Sequence, residues 1–325
     1  MISNKLGTAP GLLNTMKILI TGATGFIGKR LSERLVQNGH EVVCTGRMLS
    51  KLGSLLDKVK AIRLDIGDPV ALRDVLGREK PDIVFHCAAL VDNSPLDKLM
   101  RVNRDGTRNV LGACAKEAIE KVVYLSSISV VSGNRQVPLT DDLPYSATNQ
   151  YGESKIEAEK IAFSYRKKGR KILIIRPVMV YGEDEPHLLG LISRLSRWRL
   201  LPIVGPGDNK LQLVYIDNVV DVMMLAIDND AAYEGTYIVA DNEVLTIKEF
   251  FEYIASVQSA KPPFSIPERL VSFLKIIPFC NKGLSFFKKD RIYSIQRIRE
   301  KLGYFPKVST HDGLKRAVLS YGNRR

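Results

Sequence analysis

Residues 21–28 read TGATGFIG, and Thr21, the first of them, is also the last residue of a short apolar run, Lys17–Thr21. The three glycines serve different needs: Gly22 permits a tight turn, Gly25 lets the backbone approach a phosphate, and Gly28 permits close packing of a helix on a strand. A helix that begins at this loop directs its unpaired N–H groups at the phosphate. Strand, glycine loop and helix in this order predict a site for the pyrophosphate of a dinucleotide. The loop residues expected at that cofactor are Gly22, Thr24, Gly25, Phe26, Ile27 and Gly28.

Predicted strands and helices alternate through the first half of the chain. Apolar runs predict strands at Lys17–Thr21, Glu41–Thr45, Lys60–Leu64, Ile83–His86, Val122–Ser126 and Lys171–Ile175. Helical stretches are predicted near 71–78, 97–116 and 151–165. Such alternation is typical of an α/β fold, and we expect a doubly wound parallel sheet of the Rossmann type with right-handed crossovers.

The regular alternation of predicted strands and helices stops after Pro177, where prolines and glycines become frequent. We therefore expect an irregular leader at 1–15, a nucleotide-binding domain at 16–176, and a smaller C-terminal lobe at 177–325 that binds the substrate. Segments near 211–255, which include a strand and a helix, are expected to return to the main sheet.

Composition narrows the class of protein. The chain has 325 residues, 45% of them hydrophobic, and a net charge of +13, which favours anionic ligands. Its basic clusters are short and lack interleaved aromatics, so no nucleic-acid partner is expected. The four cysteines, Cys44, Cys87, Cys114 and Cys280, fit no metal-binding spacing. Without a signal sequence or a long apolar run, the chain is interpreted as a cytoplasmic protein with no membrane span and no metal.

The end of the second strand bears on the choice between NAD and NADP. Rossmann units that bind NAD place an acid there, about 20 residues after the loop, to hold the ribose hydroxyls. This chain has Gly46 and then Arg47, with Lys51 one helical turn further. A guanidinium can bind a 2′-phosphate, so NADP(H) is favoured over NAD(H), although Arg47 could equally stack on adenine or face solvent. Asp65 and the adjacent Ile66 are expected near the adenine, or Asp65 serves only the turn that follows.

Tyr151 and Lys155 are the candidate chemical centre. Only this one of the 12 tyrosines is followed by a lysine four residues later, which places both side chains on one face of a helix. A phenol ordinarily has a pKa of about 10, and an ammonium beside it is expected to lower that pKa toward neutrality. Ser127 ends an apolar strand, where it can donate a hydrogen bond to a substrate oxygen. Ser126 should face the opposite side of the sheet.

With these pieces together, the sequence resembles the extended short-chain dehydrogenase/reductase superfamily, also called the NAD-dependent epimerase/dehydratase family. The likeness runs from about residue 16 to 320 and includes seven motifs in the family order. Beside the glycine loop, these are Phe85–Ala89, Val102–Thr107 with Asn109, Tyr124–Ser127, Tyr151–Lys155, Arg176–Gly182 and Val214–Val219.

The resemblance implies hydride transfer at the nicotinamide ring, with Tyr151 as acid and base and with Ser127 and Lys155 in support. It also implies a homodimer formed through the helices at 97–116 and 151–165. Further cofactor contacts are implied at Cys87, Ala88, Ala89, Asn103, Pro177 and Val178.

The family does not determine the substrate. We expect a nucleotide-sugar or lipid-linked-sugar epimerase or 4-ketoreductase. The alternatives are a dehydrogenase of 3-beta-hydroxysteroids, sterols or dihydroflavonols, and a non-catalytic NADP sensor. Ile128 follows Ser127 where dehydratases carry an acid, so dehydration is not expected. The candidate substrate contacts are Ser127, Tyr181, His187 and Lys210, and the apolar segment 264–279 either packs on the core or touches a membrane surface.

Overall fold

The computed structural model describes residues 15–186, 188–267 and 289–322. Its strands are β1 Lys17–Thr21, β2 Glu41–Gly46, β3 Lys60–Arg63, β4 Ile83–His86, β5 Lys121–Leu125, β6 Lys171–Pro177, β7 Met179–Tyr181, β8 Pro202–Val204, β9 Lys210–Tyr215, β10 Thr236–Val239, β11 Val244–Thr246 and β12 Phe264–Ile266. Its α-helices are α1 Phe26–Gln37, α2 Pro69–Glu79, α3 Leu96–Leu99, α4 Gly106–Lys116, α5 Gln150–Lys167, α6 Leu189–Arg197, α7 Ile216–Asp228, α8 Ile247–Val257, α9 Gln296–Leu302 and α10 Thr310–Gly322.

A seven-stranded sheet in the order β10-β6-β5-β4-β1-β2-β3 forms the centre of the molecule, and its strands pair in parallel. Alternate residues of each strand face opposite layers: Ile18 and Ile20 of β1 join the apolar cluster with α1 and α7, whereas Leu19 joins the one with α2, α4 and α5. Helices therefore cover both faces of the sheet, and the predicted α/β fold with a doubly wound Rossmann-type sheet is confirmed.

The register of the sheet determines where a ligand can bind. Thr21 of β1 pairs with His86 of β4, and His86 pairs with Tyr124 of β5, so these strands end at one level. The residues just beyond them, among them Gly22, Cys87 and Ser126, therefore meet at the carboxyl edge of the sheet. Open parallel sheets bind their ligands at this edge.

The C-terminal half builds a second, smaller layer beside this edge. A three-stranded sheet of order β11-β9-β7 and the parallel pair β8 and β12 are backed by α6, α8 and α10 around a separate apolar cluster. Of the segment 211–255, α7 and β10 pack on or pair with the main sheet, whereas β9, β11 and α8 belong to this second layer. In this layer β9 and β11 pair with each other in antiparallel orientation.

Among the described residues, no helix combines the length and the apolar character needed to cross a bilayer. Within the same ranges, no three His, Cys, Asp or Glu side chains converge on a point that could hold a metal ion. Of the apolar segment 264–279, Phe264–Ile266 forms β12, and residues 268–279 lie outside the described part of the chain.

Candidate active site

A cavity of about 580 Å³ lies at the carboxyl edge of the main sheet, where β1, β4, β5 and β6 meet the C-terminal layer. Many of the residues singled out in the sequence line it together, although they are up to 159 positions apart, from Gly22 to Tyr181. These residues are Gly22, Gly25, Phe26, Ile27, Gly28, Cys87, Ala89, Ser127, Tyr151, Lys155, Pro177, Val178 and Tyr181.

The glycine loop has the close contacts that its sequence predicts. Gly22 adopts a φ of +71°, and a Cβ there would lie 2.6 Å from the Cα of Ala88. A Cβ on Gly28 would lie 2.3 Å from the carbonyl oxygen of Gly22, so neither position accepts a side chain. Helix α1 begins after Gly25 without a side-chain cap and without an acid in its first turn. Its N–H groups are thus available to an anion, and the loop fits a dinucleotide pyrophosphate.

His86 belongs to the support of this edge and not to the chemistry. Its Nδ1 lies 2.8 Å from Thr21 Oγ1 and its Nε2 lies 3.0 Å from Thr107 Oγ1. Thr107 donates its hydroxyl hydrogen to the carbonyl of Asn103, so Nε2 must donate to Thr107 and Nδ1 must accept from Thr21. Burial lowers the pKa of His86 to about 3, and Lys155 adds to the effect, so the ring is neutral.

Asn103 lies in a π-helical turn, Met100–Asp105, between α3 and α4. Its amide accepts from Leu90 N at 2.7 Å and donates to Leu90 O at 3.0 Å and to Ser154 Oγ at 2.9 Å. The side chain therefore ties the loop after β4 to α5, the helix that carries Tyr151. Asn103, Ala88 and Thr24 do not line the cavity, so their predicted cofactor contacts remain predictions.

Lys155 is a buried amine held by the end of β5. Its Nζ donates to Leu125 O at 2.8 Å and lies 4.5 Å from the centre of the Tyr124 ring. Burial lowers the pKa of this ammonium to about 7, while Glu159 and Cys87 oppose the effect. Both charge states of Lys155 are accordingly accessible at neutral pH.

Glu159 lies one turn beyond Lys155 on α5 and is fully buried. It forms an ion pair with Arg176 of β6, and its Oε2 accepts from Ser126 Oγ at 2.5 Å. Tyr145 donates to its other oxygen at 3.2 Å. This network joins α5 to β5 and β6 and engages the hydroxyl of Ser126, which lines the cavity together with Ser127.

Tyr151 and Ser127 meet across the cavity from their different elements. The Ser127 hydroxyl hydrogen bonds the phenol, which lowers its pKa, but burial has the larger effect and raises the pKa of Tyr151 to about 12. Ser127 Oγ also lies 3.0 Å from Ser129 Oγ, so its single hydrogen serves either the phenol or Ser129. The expectation that Lys155 lowers the phenol pKa is therefore wrong for the protein alone: the ammonium interacts with Leu125 and Tyr124, and desolvation of the phenol dominates.

The end of β2 is shaped by Thr24 of the glycine loop. A Cβ on Gly46 would lie 2.8 Å from Thr24 Oγ1, so no acidic side chain fits at that place without a shift. Arg47, the next residue in the chain, and Lys51, four residues further, are exposed. Asp65 is exposed as well, and its Oδ1 accepts from Gly67 N at 2.8 Å, so one of its oxygens serves the turn before α2. Ile66 is buried against Gly106.

The predicted substrate contacts are separated by the structure. Tyr181 lines the cavity, yet its hydroxyl donates to Asp241 and to Thr310 O, both at 3.1 Å, so only its ring faces a ligand. Lys210 is exposed at the start of β9 and does not line the cavity. His187 lies outside the described residues.

Sequence reasoning missed most of the cavity wall contributed by the C-terminal layer. These residues are Met179, Val180, Glu185, Pro186, Leu188, Leu189, Ile192 and Phe250. Val91 in the loop after β4, and Leu125 and Ser126 at the end of β5, were missed as well. Leu189 and Ile192 are spaced as in any amphipathic helix, so nothing in the sequence distinguishes a cavity wall from a packed core. The one available signal was that α6 follows shortly after the Arg176–Gly182 motif in the sequence.

A glycine loop at a parallel strand edge, together with a half-buried tyrosine and a buried lysine at one cavity, defines a nicotinamide-dependent enzyme of the extended short-chain dehydrogenase type. The profile of the NAD dependent epimerase/dehydratase family matches residues 18–240, and this chain belongs to that family. It is similar to the 2-alkyl-3-oxoalkanoate reductase of Stenotrophomonas maltophilia, with 30% identity over 94% of this chain and 99% of the relative. It is also similar to the UDP-glucose 4-epimerase of Vibrio cholerae, with 27% identity over 94% and 95%.

Solved structures agree on the fold. The UDP-glucose 4-epimerase of Thermotoga maritima, crystallised with UDP-glucose, superimposes with a TM-score of 0.79 and covers 94% of this chain and 99% of its own. Its sequence identity is 23%, so this likeness concerns the fold alone.

Proposed function

We propose that this protein is an NADP(H)-dependent reductase that converts a ketone to a secondary alcohol on a substrate with an apolar body. One observation carries the proposal: the cavity that contains Tyr151 and Lys155 is walled by aliphatic and aromatic side chains. The residues of that wall beyond the main sheet include Val91, Met179, Val180, Leu188, Leu189, Ile192 and Phe250.

Charge supports an apolar substrate over a nucleotide sugar. Among the described residues that line the cavity, Lys155 is the one cation and Glu185 the one acid. Lys155 already donates to a backbone carbonyl, and the Glu185 carboxylate accepts from the N–H groups of Leu188 and Leu189. A diphosphate placed there would be desolvated beside an acid, and the described part of the chain offers it no arginine and no lysine besides Lys155.

The residues present fit a dinucleotide cofactor, which when bound supplies the hydride. The backbone at Gly22, Gly25 and the start of α1 would hold its pyrophosphate. Arg47 and Lys51 are exposed and follow the sterically restricted Gly46 in the chain, and they would hold a 2′-phosphate where an acid would reject it. These positions support NADP(H) over NAD(H).

Tyr151 is suited to donate a proton to the ketone oxygen. With a pKa of about 12, the phenol is protonated at neutral pH, which is the state that a reduction requires. Ser127 bonds the phenol and can orient the same oxygen. The phenolate left after proton transfer keeps the hydrogen bond of the Ser127 hydroxyl, which favours the charged form.

The relative from Vibrio cholerae supports a second candidate, the 4-epimerisation or 4-keto reduction of a nucleotide-linked or lipid-linked sugar. An epimerase oxidises and reduces the same carbon with bound cofactor, so it converts UDP-glucose without net NADPH consumption. A reductase of an apolar ketone consumes one NADPH for each turnover. The stoichiometry of cofactor use therefore separates the two candidates.

The test follows NADPH oxidation with three ketones: a 2-alkyl-3-oxoalkanoate, a 3-ketosteroid and a UDP-4-keto sugar. We expect at least one apolar ketone to exceed the nucleotide sugar about a hundredfold in kcat/KM, because the diphosphate is desolvated without partners. Replacing Ile192 with alanine should raise KM for the apolar ketone about tenfold, since a few methylene contacts are lost. The matched control is Leu191→Ala, its neighbour on α6, which does not line the cavity. A preference for the nucleotide sugar would refute the apolar substrate.

A further inference from the structure

The C-terminal end of α6 and the start of β12 carry a surface that is both apolar and cationic. It comprises Trp198, Leu200 and Phe264 with Arg194, Arg197, Arg199 and Lys261, and it is called here the Trp198 surface. The site described above uses the opposite end of α6, where Leu189 and Ile192 line the cavity.

These residues adjoin one another in the fold. Trp198 caps the C-terminus of α6, and Leu200 lies two residues before Pro202, the first residue of β8. Pro202 pairs with Phe264 in the parallel pair β8 and β12, so the beginnings of both strands lie side by side. The Gln258 side chain also bonds Ser193, which fixes the end of α8 to α6. The three apolar side chains therefore emerge at one edge of the C-terminal layer.

The exposure of these side chains is unusual for a packed protein surface. Trp198 is 64% exposed, Leu200 56% and Phe264 49%. Single exposed apolar residues are ordinary, but three adjacent ones mark a surface that another molecule covers. Trp and Phe beside cations are typical of segments that lie at the boundary between lipid headgroups and acyl chains.

The two segments that form the Trp198 surface carry only positive charge. Residues 187–207 and 257–267 contain no Asp or Glu, whereas they contain Arg194, Arg197, Arg199 and Lys261. All four cations are exposed, and none forms an ion pair with a described residue. Such a field attracts an anionic surface and opposes a symmetric contact between two copies of this chain, which would place the cations against each other.

The backbone holds an arginine where helix ends favour glycine. Arg199 follows α6 with a φ of 61°, and Leu200 N and Arg199 N donate to Leu195 O and Ser196 O, the bonds of a Schellman motif. Glycine is the residue that adopts this conformation without strain. The strained position thus presents a guanidinium between the exposed Trp198 and Leu200.

We propose that the Trp198 surface docks this protein on an anionic lipid membrane, with its apolar side chains among the acyl chains and its cations at the headgroups. An apolar substrate would partition into the same membrane, and α6 would connect that membrane to the cavity. The docking itself does not depend on the proposed reaction. A failure to bind lipid would leave the NADPH assay in solution unchanged, so the two proposals fail separately.

Trp198 is the single tryptophan of the chain, so its fluorescence reports on this surface alone. The full-length protein is titrated with vesicles of phosphatidylcholine and phosphatidylglycerol, and in parallel with phosphatidylcholine vesicles. We expect a saturable blue shift and protection from acrylamide with the anionic vesicles, and reversal of both in 1 M salt. The proposal is overturned if anionic vesicles cause no blue shift. It is also overturned if single-stranded RNA causes an equal blue shift, or if a blue shift appears without lipid as the protein concentration rises.

Variants locate the effect. Arg197→Gln and Arg199→Gln should each weaken vesicle binding about fivefold, as expected for one cation at an anionic surface. Trp198→Ser, followed by co-sedimentation, should weaken it further. The two arginine substitutions are also combined in one double variant. Its matched control replaces two exposed lysines elsewhere, Lys116 and Lys301, with glutamine and so removes the same total charge. If the control pair weakens binding as much, net charge and not the Trp198 surface is responsible, and the proposal is refuted.

Discussion

Replacing Lys155 with methionine should stabilise the protein at low pH while it abolishes turnover. The amine is 2% exposed, and its pKa in the folded protein is about 7 against an ordinary 10.5. Because the folded pKa is the lower one, the unfolded chain binds more protons between these values, and the stability of the wild type rises with pH there. Below pH 7 the full cost of burying the ammonium is present.

The magnitude follows from the two pKa values. At 1.36 kcal/mol for each unit, the free energy of unfolding of the wild type should rise by about 2.5 kcal/mol between pH 6 and pH 9 through this group alone. Methionine has a similar length and does not titrate. The substitution also removes the bond to Leu125 O, but that loss is the same at both pH values and cancels in the comparison.

The assay is urea unfolding of the wild type and Lys155→Met at pH 6 and pH 9. The stability of the variant relative to the wild type should be greater at pH 6 than at pH 9 by about 2.5 kcal/mol. Lys160→Met, an exposed lysine of the same helix, is the control and should show little such difference. If the Lys155→Met difference is the same at both pH values, the buried amine does not titrate near 7 and the reasoning is refuted.

The remaining predictions concern catalysis, cofactor choice and the helix end. Tyr151→Phe should retain NADPH affinity, measured by titration calorimetry, while kcat falls about a thousandfold through loss of the proton donor; unchanged turnover would exclude the phenol. Ser127→Ala should lower kcat about a hundredfold and raise the pKa of Tyr151 further. An ultraviolet titration measures that pKa, with Tyr151→Phe as the reference that lacks this phenol. Arg47→Ala should weaken NADPH about tenfold and leave NADH unaffected, by fluorescence titration. Arg199→Gly should raise the free energy of unfolding by about 1 kcal/mol by relieving the left-handed conformation, checked by urea unfolding.

The strands of the main sheet were predictable because each is a short apolar run bounded by turn residues. Their ends differ by one or two residues: β5 begins at Lys121 and β6 extends to Pro177. A strand ends where the neighbouring strand no longer provides backbone hydrogen-bond partners, and the sequence of one strand does not contain that information.

Buried polar partners account for what the sequence did not predict at the site. The Tyr181 hydroxyl is engaged by Asp241, which is 60 residues away in the chain. Likewise, the rise in the Tyr151 pKa comes from burial, which depends on how the C-terminal layer closes over the cavity. Motifs identify the residues that meet at a strand edge, whereas desolvation arises only from the assembled fold.

The most direct test of the proposed reaction uses NADPH in which both hydrogens at C4 of the nicotinamide ring are replaced by deuterium. The protein is incubated with the apolar ketone that it reduces best, and the alcohol product is analysed by mass spectrometry. We expect one deuterium on the carbinol carbon for each NADPH consumed, and no labelled product with Tyr151→Phe in the same time. Alcohol without deuterium, or equal labelling by the variant, would contradict hydride transfer assisted by Tyr151 in this cavity.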